Sequence, residues 1–273
     1  MQIRIGPSDG VTSSDELARE EEFGTIELLW GLREPPSRGP KRGLSVHQIA
    51  EVGVAIVDSE GLSAISMERV AHELNYTKMA LYRYVRSKAE LLAVMTDIAI
   101  GDPPDLGPLE DGWRIRLERW ARLVRAAWND HPWLPQVSEW QARTGAGRSE
   151  ISDRVMGPNE VGWVEAATDT LTDMGLSPQE QLDAVFLTSA HLRTTQVMTT
   201  YGVLPWTLGS PQNDVLERLR SEHKEKYPAL SKLSESAHNP EHNAFEFGLA
   251  RVMDGLELLI TMRDGDPTSH PGG

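Results

Sequence analysis

The chain contains no cysteine, so neither a disulfide nor a thiolate metal site can form. It also has no apolar run of about eighteen residues, so the sequence predicts no transmembrane helix. The N-terminus is acidic and lacks the apolar core of a signal peptide, so secretion is not expected. A chain of 273 residues with 25% charged residues fits one or two globular units. Together these features predict a cytoplasmic protein.

The usual sequence signatures of catalysis are missing as well. The chain has no Gly-x-Ser-x-Gly, no phosphate-binding loop, no dinucleotide glycine fingerprint and no His-Glu-x-x-His. His238 and His242 are four residues apart, but Pro240 lies between them and prevents one helical face from carrying both. Two such residues rarely suffice for a metal site. We therefore expect no enzyme activity, no cofactor and no metal.

Positive charge is in deficit over the whole chain but in excess over one segment. The chain has 27 Lys and Arg residues and 41 Asp and Glu residues, which gives a net charge of −14. From Arg38 to Lys88, eight basic residues stand against five acidic ones, which makes the segment +3 and leaves −17 elsewhere. A basic module on an acidic body predicts a nucleic-acid partner and a salt-dependent affinity. The acidic body favours a cationic or neutral small molecule as a second partner.

Residues 45–75 carry two predicted helices with recognisable ends. Apolar residues at helical spacing predict a helix over Ser45–Ser59, which Gly61 ends. Ser66 is a candidate N-cap for a two-turn helix that follows. Asn75 then occupies a turn where a residue able to adopt the left-handed backbone conformation is needed.

Two more helix starts follow the turn. Thr77 can cap a short helix over Lys78–Val85, and Ser87 can cap a further helix that begins near Lys88. Two short helices separated by a tight turn form a helix-turn-helix, which places its second helix in the DNA major groove. Leu81 can face the core, which leaves two tyrosines and two cations outward, as phosphate and base contacts require. The alternative is a solvated surface helix, but the cap and turn residues favour DNA contact.

These residues resemble the helix-turn-helix of the TetR (tetracycline-repressor) family over about fifty positions, although that family usually has glycine where this chain has Asn75. The resemblance rests on Ile65-Ser66, Val70-Ala71, Leu74-Asn75, Leu81 through Val85, and Ser87-Lys88 with Glu90-Leu91-Leu92. Downstream, Trp120-Ala121 and His131 through Leu134 resemble the family's tetracycline-repressor-like C-terminal domain. The resemblance implies an all-α fold. In it, an N-terminal three-helix DNA-binding domain is joined to a larger helical domain for ligand binding and dimerisation.

The resemblance also implies roles for individual residues. Base edges would be contacted by Thr77, Lys78, Ala80 and Arg83, and phosphates by Ser66, Tyr82, Tyr84 and Lys88. Ahead of this motif, a linker rich in proline, glycine and cations could reach the minor groove through Arg38, Lys41 and Arg42. The alternative for this linker is a solvated tether.

We predict four regions along the chain. They are an N-terminal extension with the basic linker (1–43), the helix-turn-helix domain (44–90), the effector-binding and dimerisation domain (91–264) and a disordered tail (265–273). Helices are predicted over Glu16–Leu32, Trp113–Asn129, Pro158–Met174, Pro178–Tyr201 and Pro240–Met262. The resemblance implies that the last two build a four-helix interface in a homodimer; without it they are ordinary core helices.

A ligand pocket is more plausible than an active site, because seven of the eight tryptophans lie in the effector domain. The candidate ligand-binding residues are Trp128, Trp133, Trp140, Trp163, His191, Thr194, Thr195 and Met198. For each tryptophan, ordinary core packing is the alternative.

The sequence as a whole predicts a ligand-responsive DNA-binding regulator. Its expected partners are double-stranded operator DNA, a small-molecule effector and a second copy of the chain, with no membrane. It would act as a repressor that the effector releases from a palindromic operator. The alternative is a helical small-molecule binding protein or enzyme in which the helix-turn-helix is vestigial.

Overall fold

The computed structural model describes residues 22–33, 44–137, 155–201, 218, 222–226, 228 and 243–264, and its regular structure there is entirely helical. The predicted all-α fold is confirmed. The longer helices and those of the helix-turn-helix are α1 (22–29), α2 (Val46–Glu60), α3 (Met67–Glu73), α4 (Lys78–Leu81), α5 (Lys88–Ile100), α6 (Gly112–Asp130), α7 (Pro158–Asp169), α8 (Pro178–Tyr201) and α9 (Ala244–Asp264). Residues 134–137 are also helical. Short 3-10 turns lie at Leu62–Ala64 and Leu109–Asp111. None of the described helices combines the length and apolarity needed to cross a bilayer.

The described residues form two compact units. The first contains those up to Pro103 and those of Ala127–Glu165, and the second contains those of Pro104–Ala126 and from Ala166 onward. The four predicted regions, 1–43, 44–90, 91–264 and 265–273, remain predictions.

The core of the first unit forms where α2 packs against α5. Ile49 and Val57 from α2 and Leu91 and Met95 from α5 are buried. Gly53 allows the two helices to approach closely, because a Cβ there would lie only 2.6 Å from the Met95 sulfur. α3 and α4 pack against each other, and α3 also contacts α2. This core is the base on which the two short helices rest.

Two of the described helices end earlier than their sequence patterns predicted. α1 stops at residue 29 instead of Leu32, because Gly31 adopts a left-handed backbone with φ 65°. α7 stops at Asp169 instead of Met174, because the backbone after Asp169 forms hydrogen bonds between residues three apart instead of four. There Thr170 N–H donates to the Ala167 carbonyl three residues back, and its hydroxyl donates to the same oxygen.

In the second unit, α8 packs against α9. α8 has the predicted bounds. Phe245, Leu249 and Leu256 of α9 are buried within the protomer, so they belong to the core of this unit. Other large apolar side chains point outward from the two helices: Phe186, Leu187, Phe247, Leu258 and Met262.

Candidate nucleic-acid interface

The turn between α3 and α4 is built by local hydrogen bonds that the sequence predicted. The Ser66 hydroxyl accepts the Arg69 N–H at 3.1 Å and caps α3. The Thr77 hydroxyl accepts the Ala80 N–H at 3.2 Å and caps α4. Between them Asn75 has φ 58°, the left-handed conformation that the turn needs. These bonds set the directions in which the two helices leave the turn.

The second helix of the motif is shorter than predicted as an α-helix, but its helical path continues. α4 ends at Leu81, beyond which the N–H groups of Tyr84 and Val85 both donate to the Leu81 carbonyl, at 2.8 and 2.9 Å. Leu81 and Val85 are fully buried and anchor this stretch to the core, as their spacing predicted. We call Thr77–Arg86 the recognition segment.

The solvent-facing side of the recognition segment carries the predicted DNA-contacting residues. Thr77, Lys78 and Arg83 are exposed, while Ala80 and Tyr82 are half-buried. Three further predicted contacts, Ser66, Tyr84 and Lys88, are half-buried as well. Because Arg83 is exposed, its guanidinium is accessible to DNA.

Two exposed side chains at this surface were missed by the sequence analysis. Met79 is 72% exposed and Tyr76 is 46% exposed, the highest values for large apolar residues in this part of the chain. Helical geometry could have identified Met79, since it lies two residues from buried Leu81 and therefore on the opposite side of the helix.

Acidic side chains hold two of the cations at this surface. The Lys78 ammonium lies 2.9 Å from the Glu68 carboxylate, and this hydrogen bond and charge raise the pKa of Lys78. The Arg69 guanidinium bonds Glu60 at 2.9 Å and Glu73 at 2.5 Å, and these bonds raise the pKa of Arg69. Such solvent-exposed pairs are weak and exchange readily for phosphate contacts. The linker residues Arg38, Lys41 and Arg42 lie outside the described residues.

The predicted ligand-binding tryptophans in the first unit are buried and partly engaged by hydrogen bonds. Trp133 donates its indole N–H to the Asp58 carboxylate of α2 at 2.7 Å. Trp163 donates to the Gly101 carbonyl at 3.0 Å. Trp128 is also buried, and Trp140 lies outside the described residues. These contacts agree equally well with core packing and with a pocket wall.

The remaining predicted ligand-binding residues belong to α8 in the second unit. The His191 ring lies against Gly248, and its Nε2 is 2.9 Å from the Phe245 carbonyl of α9. The Thr195 hydroxyl donates to the His191 carbonyl at 2.9 Å. Thr194 is exposed, and the side chain of Met198 lies outside the described part. The structure therefore brings His191 and Thr195 together within this unit.

No cluster of three or more His, Asp or Glu residues that could hold a metal occurs in the described ranges, and His238 and His242 fall outside them. What these ranges do contain is a capped helix-turn-helix that presents cations and aromatic side chains to solvent. That arrangement defines a DNA-binding module of the helix-turn-helix class.

Comparison with known proteins places the whole chain within one family. The family model for "Bacterial regulatory proteins, tetR family" matches residues 49–95, and that for "Tetracyclin repressor-like, C-terminal domain" matches residues 104–260. The HTH-type transcriptional repressor DrrR1 of Streptomyces coeruleorubidus is 34% identical over 274 residues, which cover 96% of this chain and 93% of that relative. The chain belongs to the TetR family and is a DNA-binding transcriptional regulator.

Solved structures show the same fold. ActR of Streptomyces coelicolor in complex with (S)-DNPA matches with a TM-score of 0.63 and 24% identity, covering 80% of this chain and 99% of that one. BioQ, a protein of Mycobacterium smegmatis, bound to its double-stranded DNA operator matches with a TM-score of 0.52 and 18% identity. That match covers 79% of this chain and 99% of BioQ. At these identities the likeness establishes the fold.

Proposed function

We propose that this regulator is a repressor that binds a palindromic operator as a homodimer and is released when a small molecule binds its C-terminal domain. The observation that carries the proposal is the recognition segment, whose buried Leu81 and Val85 hold Lys78 and Arg83 towards solvent. The curated relative DrrR1 is itself named a repressor.

The proposed DNA contacts follow the residue roles that the family resemblance implies. Lys78 and Arg83 would contact guanine edges, Thr77 would donate or accept at either strand, and Ala80 would offer apolar contact to a thymine methyl group. Phosphates would be held by Ser66, Tyr82, Tyr84 and Lys88, and the minor groove would be entered by Arg38, Lys41 and Arg42. The neighbouring structure of BioQ with operator DNA has the same fold.

Operator binding requires Lys78 to exchange one partner for another. In the free protein its ammonium is paired with Glu68, and such a solvent-exposed pair is weak enough to be exchanged. Phosphate contacts displace counterions from DNA, so we expect affinity to fall steeply as salt rises. A protein that carries −14 overall depends on this local basic segment for its approach to DNA.

The outward apolar side chains of α8 and α9 support dimerisation. Phe186 on α8 and Phe247 on α9 are each about 60% exposed, and Leu258 and Met262 extend the apolar surface along α9. Large apolar side chains exposed on two helices that pack together are typical of an interface that a second copy covers. Two-fold symmetry would place paired recognition segments about 34–36 Å apart, one turn of DNA.

The effector would bind in the C-terminal domain. ActR, which has the same fold, has been determined with (S)-DNPA. Candidate ligand contacts in this chain are Trp128, Trp133, Trp140, Trp163, His191, Thr194, Thr195 and Met198. A ligand releases DNA only if it favours the conformation whose recognition segments are wrongly spaced for the operator. We further propose that the protein has no catalytic activity and works in the cytoplasm, and family membership gives no support to the vestigial-motif alternative.

The test begins with selection of an operator from a library of random duplexes by the unaltered protein. Binding of the selected duplex and of a scrambled duplex is then measured by electrophoretic shift. The double variant Lys78→Ala, Arg83→Ala should lose at least about 2 kcal/mol of operator affinity, since each base-contacting pair contributes about 1–3 kcal/mol. Thermal unfolding should remain unchanged, because both side chains are exposed.

A matched control removes the same charge elsewhere. Arg122 and Lys224 are exposed and lie outside the helix-turn-helix, and their alanine double variant should bind the operator normally. Retained operator binding by the Lys78 and Arg83 variant would contradict the contact assignment. Failure of the unaltered protein to select any duplex would contradict the proposed function itself.

A further inference from the structure

The first helix in the described part of the chain is tied to the recognition segment through a largely buried ion pair. α1 lies ahead of the stretch that matches the DNA-binding family model, which begins at residue 49. Arg33 follows α1, and its side chain is only 15% exposed. Its guanidinium bonds both carboxylate oxygens of Glu90, at 2.6 Å and 3.3 Å. α1 lies outside the residues that the family model matches, yet Arg33, just after it, is bonded to Glu90 inside them.

Glu90 connects Arg33 to the end of the recognition segment. Its side chain is 4% exposed, and its Oε2 accepts the backbone N–H of Arg86 at 2.6 Å. The Glu90 backbone N–H is in turn capped by the Ser87 hydroxyl at 3.0 Å. One carboxylate thus joins the Arg33 guanidinium to the backbone of the last residue of the recognition segment.

Further hydrogen bonds hold the region after α1 in place. The Arg33 guanidinium also donates to the carbonyl oxygens of Gly24 and Tyr84, the latter at 3.4 Å. The Trp30 indole N–H donates to the Met156 carbonyl at 3.2 Å. Residues 30–33 are therefore anchored on one side to the chain before α7 and on the other to the recognition segment.

Loss of Arg33 would disturb the recognition segment through Glu90. A buried carboxylate that loses its cation is unstable where it lies and turns towards water. The Arg86 N–H then loses its acceptor, so the C-terminal end of the recognition segment loses a hydrogen bond that holds it in position. Because α4 itself is a single helical turn, its position depends strongly on such anchors.

We call α2 to α5, which contain the helix-turn-helix, the DNA-binding head. We propose that α1 is an integral part of this head and that Arg33 is a positioning residue for the recognition segment. Arg33 acts through Glu90 and through its own hydrogen bond to the Tyr84 carbonyl, and it does not itself contact DNA. The inference rests on the proposed operator binding, and it adds to the head a helix that the DNA-binding family model does not include.

The experiment compares Arg33→Gln and Arg33→Lys in the full-length protein. The probes are the duplex selected by the unaltered protein and its scrambled counterpart, each titrated at several salt concentrations. Arg33→Gln should raise the operator Kd about tenfold or more, equivalent to about 1.4 kcal/mol. Binding of the scrambled duplex should change less than about threefold, and the salt slope should equal that of the unaltered protein, because no phosphate contact is removed.

Two further variants separate positioning from general damage. Arg33→Lys keeps the charge that Glu90 needs but cannot form all the guanidinium bonds. Its operator Kd should therefore lie between that of the unaltered protein and that of Arg33→Gln. Adding Glu90→Gln to Arg33→Gln should weaken operator binding little further, because both changes interrupt the same connection. Arg122→Gln, which removes one exposed charge from α6, is the matched control and should leave the operator Kd unchanged.

Each outcome either supports or overturns the inference about Arg33. Unaltered operator binding by both Arg33 variants would overturn the inference while leaving the proposed function intact. A parallel loss on operator and scrambled duplex with a reduced salt slope would also overturn it, because that result indicates a direct phosphate contact. If Arg33→Gln unfolds in a thermal melt, the Arg33→Lys operator Kd decides. Failure of the unaltered protein to select a duplex would remove the proposed function and the inference together.

Discussion

Replacing Asp97 by asparagine should change how the stability of the protein depends on pH. Asp97 lies near the end of α5 and is buried. Its Oδ1 accepts the backbone N–H groups of Asn159 at 2.9 Å and Glu160 at 3.1 Å, in the first turn of α7. Burial raises the pKa of Asp97 to about 6, and the hydrogen bond from the Asn159 backbone opposes that shift only partly. The cost of desolvating the carboxylate is therefore larger than its attraction to the helix N-terminus.

The sign of the pH effect follows from the raised pKa. An unfolded aspartate titrates near 3.8, so the native state holds this proton more tightly than the unfolded state. The free energy of unfolding therefore decreases as pH rises from about 4 to about 6, and above that the penalty is complete. The full shift corresponds to about 3 kcal/mol at 1.36 kcal/mol per unit. Solvent screening near the carboxylate reduces it, and we expect about 1–2 kcal/mol.

Asparagine imitates the protonated side chain and can still accept both backbone N–H groups. Asp97→Asn should match the unaltered protein near pH 4 and exceed its free energy of unfolding by about 1–2 kcal/mol above pH 6. The assay is urea unfolding at fixed protein concentration across this range. Asp254 is a control of opposite sign, because its hydrogen bond to Arg114 lowers its pKa. A constant difference between Asp97→Asn and the unaltered protein at every pH would refute the reasoning.

Other substitutions test the turn, the packing of α8 on α9 and the cap. Because Asn75 has φ 58°, Asn75→Gly should be tolerated in a thermal melt, whereas Asn75→Val should lose about 1–2 kcal/mol. A Cβ at Gly248 would lie 2.1 Å from a His191 ring carbon, so Gly248→Ala should lose about 1–3 kcal/mol in urea unfolding. Gly255, with nothing within 4 Å, should instead gain about 0.5–1 kcal/mol as alanine. Thr77→Ala should lose about 0.5–2 kcal/mol of cap stability and weaken operator binding; unchanged binding would show that the cap does not hold the recognition segment.

The parts of the site that the sequence predicted well are those made by neighbours in the chain. Ser66, Thr77 and Ser87 each cap a helix by accepting an N–H three residues ahead. Asn75 adopts the left-handed conformation that its place in the turn required. Such interactions involve a few consecutive residues, so residue type and spacing are sufficient to predict them.

The parts that escaped prediction depend on residues far apart in the chain. Glu90 was recognised as part of the motif, but its partner Arg33 lies 57 residues earlier. Asp97 and Asn159 are separated by 62 residues, and nothing in their local sequence pairs them. The last helix was predicted from the sequence, but only the packed structure shows which of its residues are buried against α8 and which point outward. A helical period predicts that a face is buried, and the tertiary fold decides what covers it.

The outward position of Met79 makes the DNA-reading surface accessible to chemical labelling. Its side chain is 72% exposed, and the chain has no native cysteine to compete for a thiol reagent. A single cysteine at this position would carry one spin label per protomer, and pulsed electron resonance would read the distance between the two labels of a dimer. The separation of the two heads, and any change in it when an effector binds, would thus be measured without DNA present.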